Sequence, residues 1–194
     1  MNSCICKEKD FFEICRNAGL SDENINKVIE HSKSLIRVKY VDPDFPTIHI
    51  SDNGNWIDLK CTKDYEIKQG ESAFISLGVA MKLPKDYEAH LLPRSGTFKK
   101  YGLMQTNGTG IIDNSYSGND DIWMMQVYAT RDTFVKKGER LCQFRLFRTM
   151  EAELCDIRED DLSWFTTFGS KQIIILEVEE LDDVNRGGFG SSGR

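Results

Sequence analysis

Apolar and polar residues change their period once along the chain, near residue 35. Before that point Phe11, Phe12, Ile14 and Cys15 cluster at helical spacing. Gly19 offers a C-terminal stop, and Ser21 can cap a second helix carrying Ile25, Val28 and Ile29. The pattern predicts a short helical hairpin over residues 1–34, whose apolar stripes must be buried. They either pack outside the main domain or across a subunit boundary, or they serve as a lid or a docking element for a protein partner. From Leu35 onward the period is two, first in Ile36, Val38 and Tyr40 and most clearly in Ile75, Leu77, Val79, Met81 and Leu83, which reads as one long half-buried strand. Pro84-Lys85-Asp86 turns the chain into a strand over 87–92. Further strands are predicted over 123–130, through Cys142, Phe144 and Leu146, and over 172–178. Short strands separated by Gly, Pro, Asn and Asp turns predict an all-β sandwich or barrel over 35–183. Residues 184–194, dominated by Gly and Ser, have no core-forming pattern and are expected to order only on a ligand.

A chain of 194 residues suits one ordinary domain with a small appendage. Its formal charge of −6 argues against a nucleic-acid surface, which needs clustered Lys and Arg to displace counterions, although a nucleotide pocket can still be locally basic. Six cysteines (Cys4, Cys6, Cys15, Cys61, Cys142, Cys155) are scattered without a secretory signal, so reduced thiols and a cytoplasmic protein are expected. No apolar run approaches bilayer length, so no membrane association is expected. Glu159-Asp160-Asp161 is read as a solvated face, since consecutive acids do not converge on one ion.

The chemistry concentrates between residues 93 and 118. Ile111 and Ile112 look like the end of a buried strand, and Asn114-Ser115-Tyr116-Ser117-Gly118 is turn chemistry. Asp113 therefore sits where a strand gives way to a turn, either as a carboxylate held to orient a water or as an Asx-turn acceptor. The tail offers a second signal: glycines let N–H groups approach phosphate oxygens, hydroxyls add donors, and Phe189 supplies a flat apolar face. A flexible linker is the plainer reading of the same tail.

Pro93-Arg94-Ser95-Gly96, Gly110-Ile111-Ile112-Asp113 with Tyr116 and Gly118, Gly138-Glu139-Arg140-Leu141-Cys142-Gln143, and Gly187-Gly188-Phe189-Gly190-Ser191-Ser192-Gly193 resemble, in order, motifs of the trimeric dUTP diphosphatases (dUTPases). Trp56-Ile57-Asp58-Leu59 is similar to the family's first motif. The resemblance implies a distorted jelly-roll (β-clip) barrel, a homotrimer whose active sites each draw on more than one chain, and Mg²⁺-dependent hydrolysis of dUTP to dUMP and pyrophosphate.

On that resemblance Asp113 is the general base. Ser95, the Gly96 amide and Gln143 donate to phosphate oxygens. Arg94 offers its fork to a phosphate or to Asp58, a structural salt bridge being the alternative. Asn107 and the backbone of Gly110, Ile111 and Ile112 would read the uracil edge, and Tyr116 would exclude a 2′-hydroxyl by packing under the sugar. Phe189 would stack on uracil while Gly190, Ser191 and Ser192 close over the phosphates. The family's tail arginine is displaced here, so that Arg186 directly precedes Gly187 and is the candidate for the γ-phosphate. Mg²⁺ is expected to arrive with the triphosphate, with Asp58 at most in its outer shell. A dCTP deaminase of the same fold is the alternative enzyme, but that family prefers a second serine where Gly96 stands and a glutamate that is missing between Asp113 and Thr130. A dUTP-binding regulatory trimer acting through a protein partner is the alternative from another class.

Overall fold

The computed structural model describes residues 4–31, 35–51, 55–150 and 174–187. Cys4–Lys7 forms β1, and the predicted hairpin follows as α1 (Glu8–Asn17) and α2 (Asp22–His31). The strands of the main domain are β2 (Leu35–Tyr40), β3 (Ile48–Ile50), β4 (Ile57–Lys60), β5 (Tyr65–Ile67), β6 (Ser72–Ser76), β7 (Val79–Lys82) and β8 (Tyr87–Pro93). After α3 (Thr97–Tyr101) come β9 (Leu103–Gln105), β10 (Gly110–Ile112), β11 (Met124–Ala129), β12 (Thr133–Val135), β13 (Arg140–Arg148) and β14 (Ile174–Glu177).

The strands assemble into sheets ordered β1-β14-β2-β7, β10-β8-β13-β4-β3, β6-β11-β9 and β12-β5. Period-two alternation buries Ile36, Val38 and Tyr40 from β2, Ile75 and Met81 from β6 and β7, Met125 and Val127 from β11, and Phe144 from β13 in one core. Fully buried Trp123 meets Phe144 edge to face at 5.2 Å between ring centroids. Leu35, Ala80, Leu176, Val178 and Leu181 form a second cluster beneath Phe11 and Ile29 of the helical extension.

Three features depart from the periodicity. The run from Ile75 to Leu83 is two strands, because Gly78 takes φ +69° and turns a corner: β6 pairs with β11, while β7 pairs with β2. A Cβ at Gly78 would lie 2.4 Å from Thr62 Cγ2, so only glycine fits this bend. Ile111 is 56% exposed, since β10 is the outer strand of its sheet and turns that side chain away from the core. Cys4–Lys7, which the pattern leaves to the helical extension, runs parallel to β14 and ties the extension into a sheet. The extension still leaves Ile14 and Val28 exposed. Among the described residues no helix is long and apolar enough to cross a membrane.

Candidate active site

The predicted site residues lie at two ends of one sheet. The first group is built on β8, β13 and β4. Arg94 N donates to Leu141 O at 3.0 Å, Thr97 N to Arg94 O at 3.0 Å and Thr97 Oγ1 to Leu141 O at 2.5 Å, which pins the loop after β8 to β13. Ser95 and Gly96 are left exposed at its apex. Gly96 has φ −86°, and a Cβ built there meets nothing within 4 Å, so neither backbone strain nor packing within this chain demands glycine. Gln143 stands opposite Asp58 on β4 and Leu92 on β8.

Asp58 is 6% exposed and lies between two guanidinium groups: Arg94 Nε is 3.0 Å from Oδ1 and Arg140 Nη1 is 3.1 Å from Oδ2. One carboxylate thus offsets two cations, leaving a basic spot beside Ser95. Sequence reasoning gave Arg140 no role, although it lies within the Gly138-Glu139-Arg140-Leu141-Cys142-Gln143 motif. A bulge between Arg140 and Cys142 shifts the register, buries both Leu141 and Cys142, and swings Arg140 onto the Asp58 side.

The second group surrounds Asp113, immediately after β10. Ser115 N donates to Asp113 Oδ1 at 2.8 Å and Ser115 Oγ at 2.5 Å, an Asx-turn, while Arg186 Nη1 lies 2.9 Å from both carboxylate oxygens. Partial burial pushes the Asp113 carboxyl upward, but the Ser115 and Arg186 contacts outweigh it and hold the group below its ordinary value. Tyr116 packs against the main core and its hydroxyl donates to Ile122 O at 3.0 Å. Asn107 is exposed in the turn between β9 and β10, where Gly108 takes φ +65°. Gly110 is buried against β8: a Cβ there would lie 3.2 Å from Leu91 Cβ.

The chain does not bring the two groups together. Ile112 stands opposite Ala89, whereas Arg94 follows the other end of β8, and the step from Ala89 to Arg94 spans about 17 Å of extended strand. Sequence reasoning also missed Asp121, which is fully buried beside the second group and accepts the N–H of Arg186 and Gly187. Its place after Gly118-Asn119-Asp120 reads as an ordinary turn acid. Phe189, Gly190, Ser191 and Ser192, like Glu159-Asp160-Asp161, lie outside the described residues.

The sequence profile of the dUTPase family matches residues 51–161. The chain is 42% identical over 158 residues to the SPbeta prophage-derived deoxyuridine 5′-triphosphate nucleotidohydrolase YosS of Bacillus subtilis, covering 81% of this chain and 97% of that protein. It is 34% identical over 140 residues to the deoxyuridine 5′-triphosphate nucleotidohydrolase of Nautilia profundicola, covering 71% and 82% respectively. A mutant dUTPase of Staphylococcus bacteriophage 80alpha, solved with dUpNHpp, superposes with a TM-score of 0.52 at 21% identity over 82% of this chain and 98% of its own, which establishes the shared fold. Because the profile spans both the Asp58 and the Asp113 groups, and the 42% identity runs over nearly the whole of a relative, this chain belongs to the dUTPase family, the deoxyuridine 5′-triphosphate nucleotidohydrolases.

Proposed function

We propose that the protein cleaves dUTP between the α- and β-phosphates, releasing dUMP and pyrophosphate, with Asp113 as the base that orients and deprotonates the attacking water. The observation that carries the reading is the Asp113 carboxylate. It sits at the exit of a strand, stays ionised through neutral pH, and is fixed by its own turn beside Tyr116. An in-line attack on the α-phosphorus needs no covalent intermediate: the water proton passes to Asp113 while the P–O bond to pyrophosphate breaks. Ser95, Gly96 and Gln143, on the far end of the sheet, supply donors for charge developing on the α-phosphate, and the Arg94–Asp58–Arg140 cluster holds that end rigid and cationic. Tyr116 would lie under the sugar and reject ribose, and Asn107 with the Gly110 to Ile112 backbone would read uracil.

Among the described residues no three His, Cys, Asp or Glu side chains converge on one point, and Asp58 already engages two guanidinium groups. These donors fit an ion that enters on the triphosphate and keeps its waters rather than one caged by protein. Mg²⁺ bound in this way would neutralise phosphate charge and fix the triphosphate conformation.

The 17 Å step along β8 supports a homotrimer in which the Asp113 loop of one chain meets the Arg94 end of another. So does the outward face of β6-β11-β9, where Phe74, Met104 and Tyr128 share one side and remain 47%, 51% and 40% exposed. Among the described residues Cys15, Cys61 and Cys142 are free thiols, consistent with a cytoplasmic enzyme. Hydrolysis in oxygen-18 water is expected to place the label in dUMP. Label in pyrophosphate would mean attack on the β-phosphorus and would overturn the assignment.

A further inference from the structure

The segment that leads to the C-terminal tail is laced onto the loop that carries Asp113. Asp121 is fully buried, and its oxygens take main-chain N–H groups from Gly118 at 2.9 Å, Arg186 at 2.9 and 3.1 Å and Gly187 at 3.0 Å. A buried carboxylate demands such donors, and here they come from both segments at once. The lacing continues on either side. Asn119 exchanges hydrogen bonds with the Leu181 backbone at 2.9 and 2.7 Å, and Ser117 Oγ donates to Asp183 at 2.9 Å. Asn185 accepts from Asp120 N at 2.8 Å and donates to the Asp120 carboxylate at 2.6 Å. Gly118 bridges Asp183, and a Cβ there would lie 2.3 Å from Asn185 Oδ1, so the glycine is required by this contact. Lys82 to Asp183 at 2.8 Å and Lys39 to Glu180 at 2.9 Å anchor the same segment to the β1-β14-β2-β7 sheet.

The consequence falls on Arg186. With its main chain fixed by Asp121, its guanidinium reaches Asp113 in the same chain, 2.9 Å from both oxygens. We propose that Arg186 is a positioning residue for the general base, held in place by Asp121, rather than a ligand of the substrate's terminal phosphate. Ser115 occupies Oδ1 and the Arg186 guanidinium lies against both oxygens, which restricts the directions from which a water can reach the carboxylate. Together with Ser115, Arg186 holds the carboxyl below its ordinary value, so the catalytic gain comes from orientation more than from basicity. This inference rests on Asp113 being the base.

The test is the titration of Asp113 in full-length protein labelled with carbon-13 at aspartate side-chain carboxyls, the signal being assigned by its loss in Asp113→Asn. In Arg186→Gln the midpoint is expected to move to higher pH, because an adjacent opposite charge that favours the ionised carboxylate is lost. kcat for dUTP should fall while the affinity for dUpNHpp stays unchanged, and Arg186→Lys should recover part of both effects. Asp121→Asn, if it folds, should reproduce the shift without touching Arg186. An unmoved midpoint together with weakened dUpNHpp binding in Arg186→Gln would make Arg186 a phosphate ligand and overturn the proposal. Full activity in Asp113→Asn would instead remove the base assignment itself.

Discussion

Replacing Asp113 by Asn is expected to lower kcat for dUTP by a factor of about 10²–10⁴, the contribution general-base catalysis makes. The substitution is chosen because Asn keeps an oxygen for the Ser115 N–H, so the turn after β10 survives while the negative charge is lost. Thermal unfolding should therefore change little, and dUpNHpp should still bind. The pH dependence follows from the direction of the shift. Ser115 and Arg186 hold the carboxyl below its ordinary value, so the base is ionised throughout the neutral range and its contribution is lost only as pH falls through that lowered value. Steady-state pyrophosphate release at saturating dUTP measures the effect, and a kcat within about threefold of the parent would take Asp113 out of the chemistry.

The second large effect concerns subunit sharing. Arg94→Ala removes one of the two guanidinium groups on Asp58 but leaves Arg140 to hold that buried carboxylate, so the fold is expected to survive. Alone, Arg94→Ala and Asp113→Asn should each be nearly inactive. If the Asp113 loop of one chain meets the Arg94 end of its neighbour, co-expressed chains sort into mixed trimers in which about a quarter of sites combine two intact halves. Activity should then return to about a quarter of the parent value. Co-purified mixed trimers that stay inactive would place both groups in one chain's site, which the span of β8 opposes.

Much of the fold was legible because strand alternation follows directly from burial on one face: Ile36, Val38 and Tyr40 could hardly point elsewhere. The corner at Gly78 was hidden because Ile75, Leu77, Val79 and Met81 all enter the same core on both sides of it, so the alternation never breaks. Likewise β1 has a partner about 170 residues away, and no local pattern reports a pairing of that range. In the site, the turn after Ile112 announces itself through Asn, Ser and Gly, and Arg94 next to a buried strand end needs an acid such as Asp58. Arg140 did not, because a bulge decides which face it joins. Asp121 stayed invisible for a related reason: its burial depends on residues 181–187 returning across it, and a sequence of two consecutive aspartates gives no hint of that return.

The most direct test of the central claim is pyrophosphate release from dUTP, UTP, dCTP and dTTP, measured side by side with Mg²⁺ on the intact protein. Turnover of dUTP with little or none of the other three is the expected result, rejection of UTP being what the proposed place of Tyr116 under the sugar requires. Binding of dUTP without cleavage would contradict the hydrolase and turn attention to a regulatory trimer, and ammonia release from dCTP would point to the deaminase chemistry of the same fold.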